Sequence, residues 1–173
     1  MLRLVNDIKS VSKRKPKHKV SLNYLYQSDF SSGADGFVNV TGASALDGNI
    51  DGIGGLDDVL RVTCEVAAGK SGVTTIAKTI ASPDTIVGED YRLNFKYFIP
   101  SANDEILFIE QIVVGGATGA VDSGAVATDD WHSKSVEITA TSANRIFGLF
   151  LNADHSSGVE DIIYIKDVEL IKL

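Results

Sequence analysis

The chain has 173 residues, 44% hydrophobic and 23% charged, and carries a net charge of −7. That length suits one domain with a real core rather than two, and the composition is that of a globular protein rather than a disordered one. No apolar run approaches the roughly 18 residues of a transmembrane helix, and residues 1–22 lack the apolar stretch of a secretory signal, so a cytosolic origin without membrane contact is expected.

The charge is unevenly placed. Through residue 28, Arg3, Lys9, Lys13, Arg14, Lys15, Lys17 and Lys19 stand against Asp7 alone, a net +6 that leaves −13 for the remainder. A basic arm on an acidic body predicts contact with an acidic partner, while the acidic body makes nucleic-acid binding by the folded domain unexpected. Leu2, Val5, Ile8 and Val11 recur at a spacing near three, with Leu4 beside them, which fits a short amphipathic helix or a docking segment. Pro16 and the self-repelling charges of Ser12–Lys19 then disfavour any regular element. Residues 1–22 are therefore read as an extended or partly helical arm, either a solvated tail or a segment that orders on a partner subunit. Residues 23–173 are read as the folded domain.

After Lys19 short strand patterns alternate with turns rich in Gly, Asp, Asn and Ser. Ser31–Gly36 reads as a loop and Phe37–Val40 as a short strand. Leu46–Asp58, with four glycines and four aspartates, reads as loop throughout. In Asp58–Val66, Leu60, Val62, Cys64 and Val66 share one face, with Val59, Arg61, Thr63 and Glu65 on the other. Val73–Ile80 is largely β-branched. In Tyr91–Ile99 the residues Tyr91, Leu93, Phe95, Tyr97 and Ile99 alternate with Arg92, Asn94, Lys96 and Phe98, and Pro100 ends the strand. Glu105–Val114 runs into Gly115-Gly116, and Lys134–Ala140 places Val136 and Ile138 on one face. Arg145–Leu151 is apolar on both faces, as in a central strand covered on both sides, and Glu160–Leu173 closes the chain. No helix is expected after residue 20, and the run of strands predicts an all-β sandwich or barrel.

No catalytic motif stands out, and the protein is not expected to be an enzyme. His18, His132 and His155 sit at unrelated spacing and read as surface residues; Cys64, the one cysteine, reads as a small core residue. The carboxylates gather in loops, at Asp47, Asp51, Asp57 and Asp58, at Asp122, Asp129 and Asp130, and at Asp154, Glu160 and Asp161. Such residues form turns, or supply the several oxygen ligands that calcium requires. Trp131, the only tryptophan, either seals a strand end or stacks on a sugar ring.

The runs Ser28–Phe37, Gly48–Leu60 and Tyr91–Pro100, the Asp130-Trp131 entry to a strand and the closing Ile163–Leu170 together resemble modules of tailed-bacteriophage virion proteins. They are also similar to carbohydrate-binding modules of the family 4/9/22 type. The resemblance implies a jelly-roll β-sandwich over about residues 25–173. On that resemblance the chain is a structural component of a bacteriophage virion, in tail, fibre or head decoration. It would assemble as a homo-oligomer with other virion subunits through the arm and sandwich faces, and would be localised to the virion after assembly in the host cytoplasm. The alternative it implies is a glycan-binding module for host-surface or environmental polysaccharide, with Trp131 as the glycan contact. Some sandwiches of this type hold a structural calcium near the first and last strands, for which Asp29 and Asp167 are the matching positions; Lys166 stands where an acid is often found.

Overall fold

The computed structural model describes residues 22–41, 43–64, 71–81, 83–103, 107–121, 129–154 and 161–173. The arm residues Arg3, Lys9, Lys13, Arg14, Lys15, Lys17 and Lys19, and with them His18, Asp122, His155 and Glu160, lie outside this set. Eleven strands occupy the described residues: β1 (Asn23–Gln27), β2 (Phe37–Thr41), β3 (Ala43–Ile50), β4 (Val59–Cys64), β5 (Ser71–Thr79), β6 (Asp90–Phe98), β7 (Leu107–Val114), β8 (Ala117–Ala120), β9 (His132–Thr139), β10 (Ile146–Asp154) and β11 (Ile162–Lys172). One 3₁₀ turn, Phe30–Ser32, accompanies them.

The strands form two antiparallel sheets. Sheet A runs β3-β4-β11-β6-β9, with β1 also on β11; sheet B runs β2-β5-β10-β7-β8. From β4 to β7 and again from β8 to β11 the chain changes sheet at every step, so consecutive strands face each other across the core instead of pairing. The alternation of β6 does what its sequence predicts, burying Tyr91, Leu93, Phe95 and Tyr97. They pack with Leu60, Val62 and Cys64 of β4 and Ile163, Ile165, Val168 and Leu170 of β11, against Ile76, Ile109, Ile112, Phe147 and Leu149 of sheet B. Phe30 and Phe37, with Tyr26 and Phe147, close one end as a chain of aromatic contacts.

Two expectations are corrected. Leu46–Ile50 is not loop but the second half of β3, paired with β4 from Ala43↔Cys64 to Ile50↔Val59. Pairing overrides the poor strand propensity of Asp47, Gly48 and Asn49, and register shifts absorb the misfit. Gly48 is required there because a Cβ would lie 1.9 Å from the Gly33 carbonyl oxygen, while Asp47 pairs with Arg61 at 2.8 Å. On the side of β4 that carries Arg61, Val59 and Thr63 are also buried, since β4 is an interior strand walled at the level of Thr63 by Ala45 and Ile162. Second, β10 is central in sheet B, but the described residues do not cover its Ile146 side fully. Phe147 and Leu149 are fully buried, whereas Ile146 on the other side is 48% exposed.

A polar groove on the outer face of sheet A

The side of β6 turned away from the core carries Arg92, Asn94, Lys96 and Phe98. Strand register sets their neighbours: Asn94 lies level with Ser135 of β9 and Glu169 of β11, and Glu169 with Gln27 of β1. Lys96 lies level with Ser133 and Lys166. The Glu169 carboxylate accepts from Gln27 Nε2 and from Asn94 Nδ2, each at 3.2 Å. The pairing of β11 with β6 slips between Lys166 and Glu169, and Asp167 takes a positive φ of 50°. Such a bulge re-aims a side chain; here the Asp167 carboxylate meets the Lys96 ammonium at 2.7 Å. Gln27, Asn94, Lys96, Ser133, Ser135, Asp167 and Glu169, together with Ser28 and Lys134, line a groove of about 510 Å³. Its walls offer carboxylate acceptors, amide groups of both kinds, hydroxyls and ammonium donors.

Two residues further along β6, about 7 Å at the usual strand rise, the same face turns aromatic. Phe98 contacts Tyr164 of β11 at 6.1 Å and Trp131 at 5.7 Å between ring centroids. Phe98 is buried beneath them, while Trp131 and Tyr164 keep part of their surface in solvent. Residues 51–58 form a small hairpin over this cluster. Ile53 and Leu56 exchange backbone hydrogen bonds of 3.0 Å across Gly54-Gly55. Both glycines have positive φ (54° and 81°), as a tight two-residue turn demands. Trp131 Nε1 donates to the Ile53 carbonyl at 2.8 Å, and a Cβ on Gly54 would meet the indole at the same distance. Trp131 therefore fixes the hairpin and keeps part of its ring in solvent, two residues before Ser133 of the groove.

The other predicted positions disperse. Asp29 caps the 3₁₀ turn, accepting from Ser31 N at 3.1 Å, and its hydrogen bonds to Ser31 hold its carboxyl below the ordinary range. A cavity of about 170 Å³ separates it from Asp167, lined by Ser28, Asp29, Phe30, Asp58, Lys166 and Asp167. The Lys166 ammonium reaches that junction, donating to the Asp57 carbonyl at 2.5 Å and the Asp58 carbonyl at 3.2 Å. Among the described residues no three His, Cys, Asp or Glu side chains converge as metal ligands. With one carboxylate given to a cap, the other to Lys96 and an ammonium between, the residues present do not fit a calcium ion. His132, the first residue of β9, stacks on Tyr97 at 5.5 Å. Gln27, Asn94, Lys96 and Glu169 were not singled out by sequence. The alternation of Tyr91–Ile99 already turned Asn94 and Lys96 outward, but Gln27 and Glu169 join them only through register.

The outer face of sheet B is of another kind. Val38, Ala77, Gly148, Val113 and Thr118 lie level across its five strands. Ile146 and Phe150 occupy the same side of β10. Val38 is 56% exposed, and neither ion pair nor groove is found among the described residues of this row.

No family model matches the chain, and no curated protein does. Solved structures do. The CBM22-1 xylan-binding domain of Paenibacillus barcinonensis Xyn10C superposes with a TM-score of 0.59 at 12% identity, over 88% of this chain and 96% of that one. The C-terminal family 22 carbohydrate-binding module of Clostridium thermocellum Xyn10B, studied for residues of its ligand-binding cleft, gives 0.59 at 14% identity, over 87% and 93%. The enzymatically active domain of bacteriophage CBA120 tailspike protein 4 gives 0.53 at 13% identity, over 84% of this chain but 20% of that one. At such identities the likeness shows the fold: the chain is an all-β sandwich of two antiparallel sheets, matching the jelly roll of carbohydrate-binding modules.

Proposed function

We propose that the protein is a non-catalytic glycan-binding module and that a polysaccharide chain lies along the outer face of sheet A. The observation that carries this reading is the groove bounded by Gln27, Asn94, Lys96 and Glu169, with the Phe98, Trp131 and Tyr164 rings two residues further along the same face. A sugar has hydroxyls that donate and accept and apolar ring faces that stack. A site for it needs convergent polar groups beside an aromatic surface. The fold's likeness to xylan-binding modules supports the same reading, and xylan is the first ligand to try. Affinity electrophoresis against xylan and a panel of plant and bacterial-surface polysaccharides tests it. Retardation by at least one, weakened in an Asn94→Ala/Glu169→Ala variant of unchanged Tm, is expected. Free migration in every gel contradicts it.

A second reading is compatible with the first: the module belongs to a bacteriophage virion, where it contacts a host glycan and assembles through its basic arm. The likeness to a tailspike domain and the +6 arm on a −13 body favour it. Light scattering should then give an oligomer for the full chain and a smaller species for a form beginning at Ser21. A monomer in both forms, absent from particles, counts against it.

A further inference from the structure

One edge of β11 is shared by two strands. β4 pairs with Ile162–Ile165 and β1 with Glu169–Lys172, so the bulge at residues 166–168 lies where both partners end. Part of the gap is bridged by backbone: Ser28 N donates to the Val168 carbonyl at 2.8 Å, and Val168 N to Ser28 Oγ at 2.9 Å. The rest is a junction of oxygens. The carbonyls of Asp57 and Asp58 turn toward it, and Asp29 and Asp167 line the same cavity. Several oxygens of negative or partly negative charge in one place require a cation. Among the described residues lining that cavity the one cationic group is the ammonium of Lys166, three donors on a flexible stem, two of them used on Asp57 and Asp58, while Asp167 is met by Lys96 from the groove.

We infer that the Lys166 ammonium is the built-in cation of this junction and that the sandwich needs no calcium for its stability. The lysine joins the end of the 51–58 hairpin to β11, and its charge and donors serve as a bound ion would. Because it belongs to the chain, it is present whatever the ionic composition outside. The inference is independent of the glycan reading: it concerns Tm, and a failure to bind polysaccharide leaves it untouched.

Thermal unfolding of the full chain in millimolar calcium chloride and in millimolar EDTA tests it. The wild-type Tm should be the same in both. Lys166→Met keeps the apolar stem and removes the donors, so it should lower Tm by roughly 4–8 °C in both media, the loss expected when two carbonyls lose their partner. Lys166→Glu adds a carboxylate to the oxygens, so its Tm should fall in EDTA and recover partly in calcium. A wild-type Tm that rises by several degrees with calcium overturns the inference. So does a Lys166→Met protein that unfolds at the wild-type temperature, or a Lys166→Glu protein indifferent to calcium.

Discussion

The two outer faces of this sandwich are built from the same kind of strand and serve different ends. On sheet A the outward residues are Gln27, Asn94, Lys96, Ser133, Ser135 and Glu169, and a bulge in β11 opens a groove among them. On sheet B the matching positions hold Val38, Ala77, Gly148 and Val113; pairing shifts there too, between Phe150 and Leu151 and between Asn39 and Thr41, but not at this row. What distinguishes the faces is less the inward pattern, apolar in both, than the outward side chains and where an irregularity of pairing falls among them. The β11 bulge falls among polar side chains, where a groove opens on sheet A, whereas the shifts of sheet B leave the Val38 row apolar.

The comparison can be broken most severely at Gly148. A Cβ there would lie 2.5 Å from the Ile76 carbonyl oxygen, a backbone atom in the neighbouring strand. Gly148→Val should destabilise by about 3 kcal/mol or more, measured by denaturant unfolding, although it adds an apolar side chain to an apolar face. Trp131→Ala comes next. It removes a half-buried ring and one of the two donors to the Ile53 carbonyl, Leu56 N remaining, so a loss of about 2 kcal/mol is expected. It should also weaken polysaccharide binding.

A smaller effect is readable from pH. Tyr26 is held well above the ordinary phenol range, first by burial and then by its hydrogen bond to Asp35. A raised folded pKa means stability that is complete below the unfolded value of 10.0 and is lost above it. Tm should therefore fall as pH rises past 10, and Tyr26→Phe should flatten that limb of the profile. Asp29 and Asp129 are held below their ordinary value by hydrogen bonds to Ser31 and Ser101. Their contribution is present above pH 3.8 and should fade as pH falls below it. Smallest of all, Val38→Thr with Ile146→Thr on sheet B should change stability by less than about 0.5 kcal/mol per site and leave polysaccharide binding intact.

The inward half of the fold was legible in sequence. Period-two alternation in Tyr91–Ile99 and in Leu60–Cys64 names core residues that the structure buries, and Cys64 among them. β3 was not legible, because Asp47-Gly48-Asn49 has the composition of a turn and becomes strand only when β4 pairs with it. The groove was half legible. Asn94 and Lys96 face outward by alternation alone, but which residues stand beside them is a matter of register, and register shifts at the β11 bulge follow no local pattern. Asp29 and Asp167 illustrate the converse: two carboxylates placed together by resemblance are each taken up by a nearer partner, Ser31 and Lys96.

Calorimetric titration of the best-retarding polysaccharide tests the central claim most directly, with wild type, Asn94→Ala/Glu169→Ala and Val38→Thr/Ile146→Thr compared at matched folded fraction. Sheet A as the binding face predicts affinity lost in the first double variant and kept in the second. The reverse order, or equal binding by all three proteins, contradicts it.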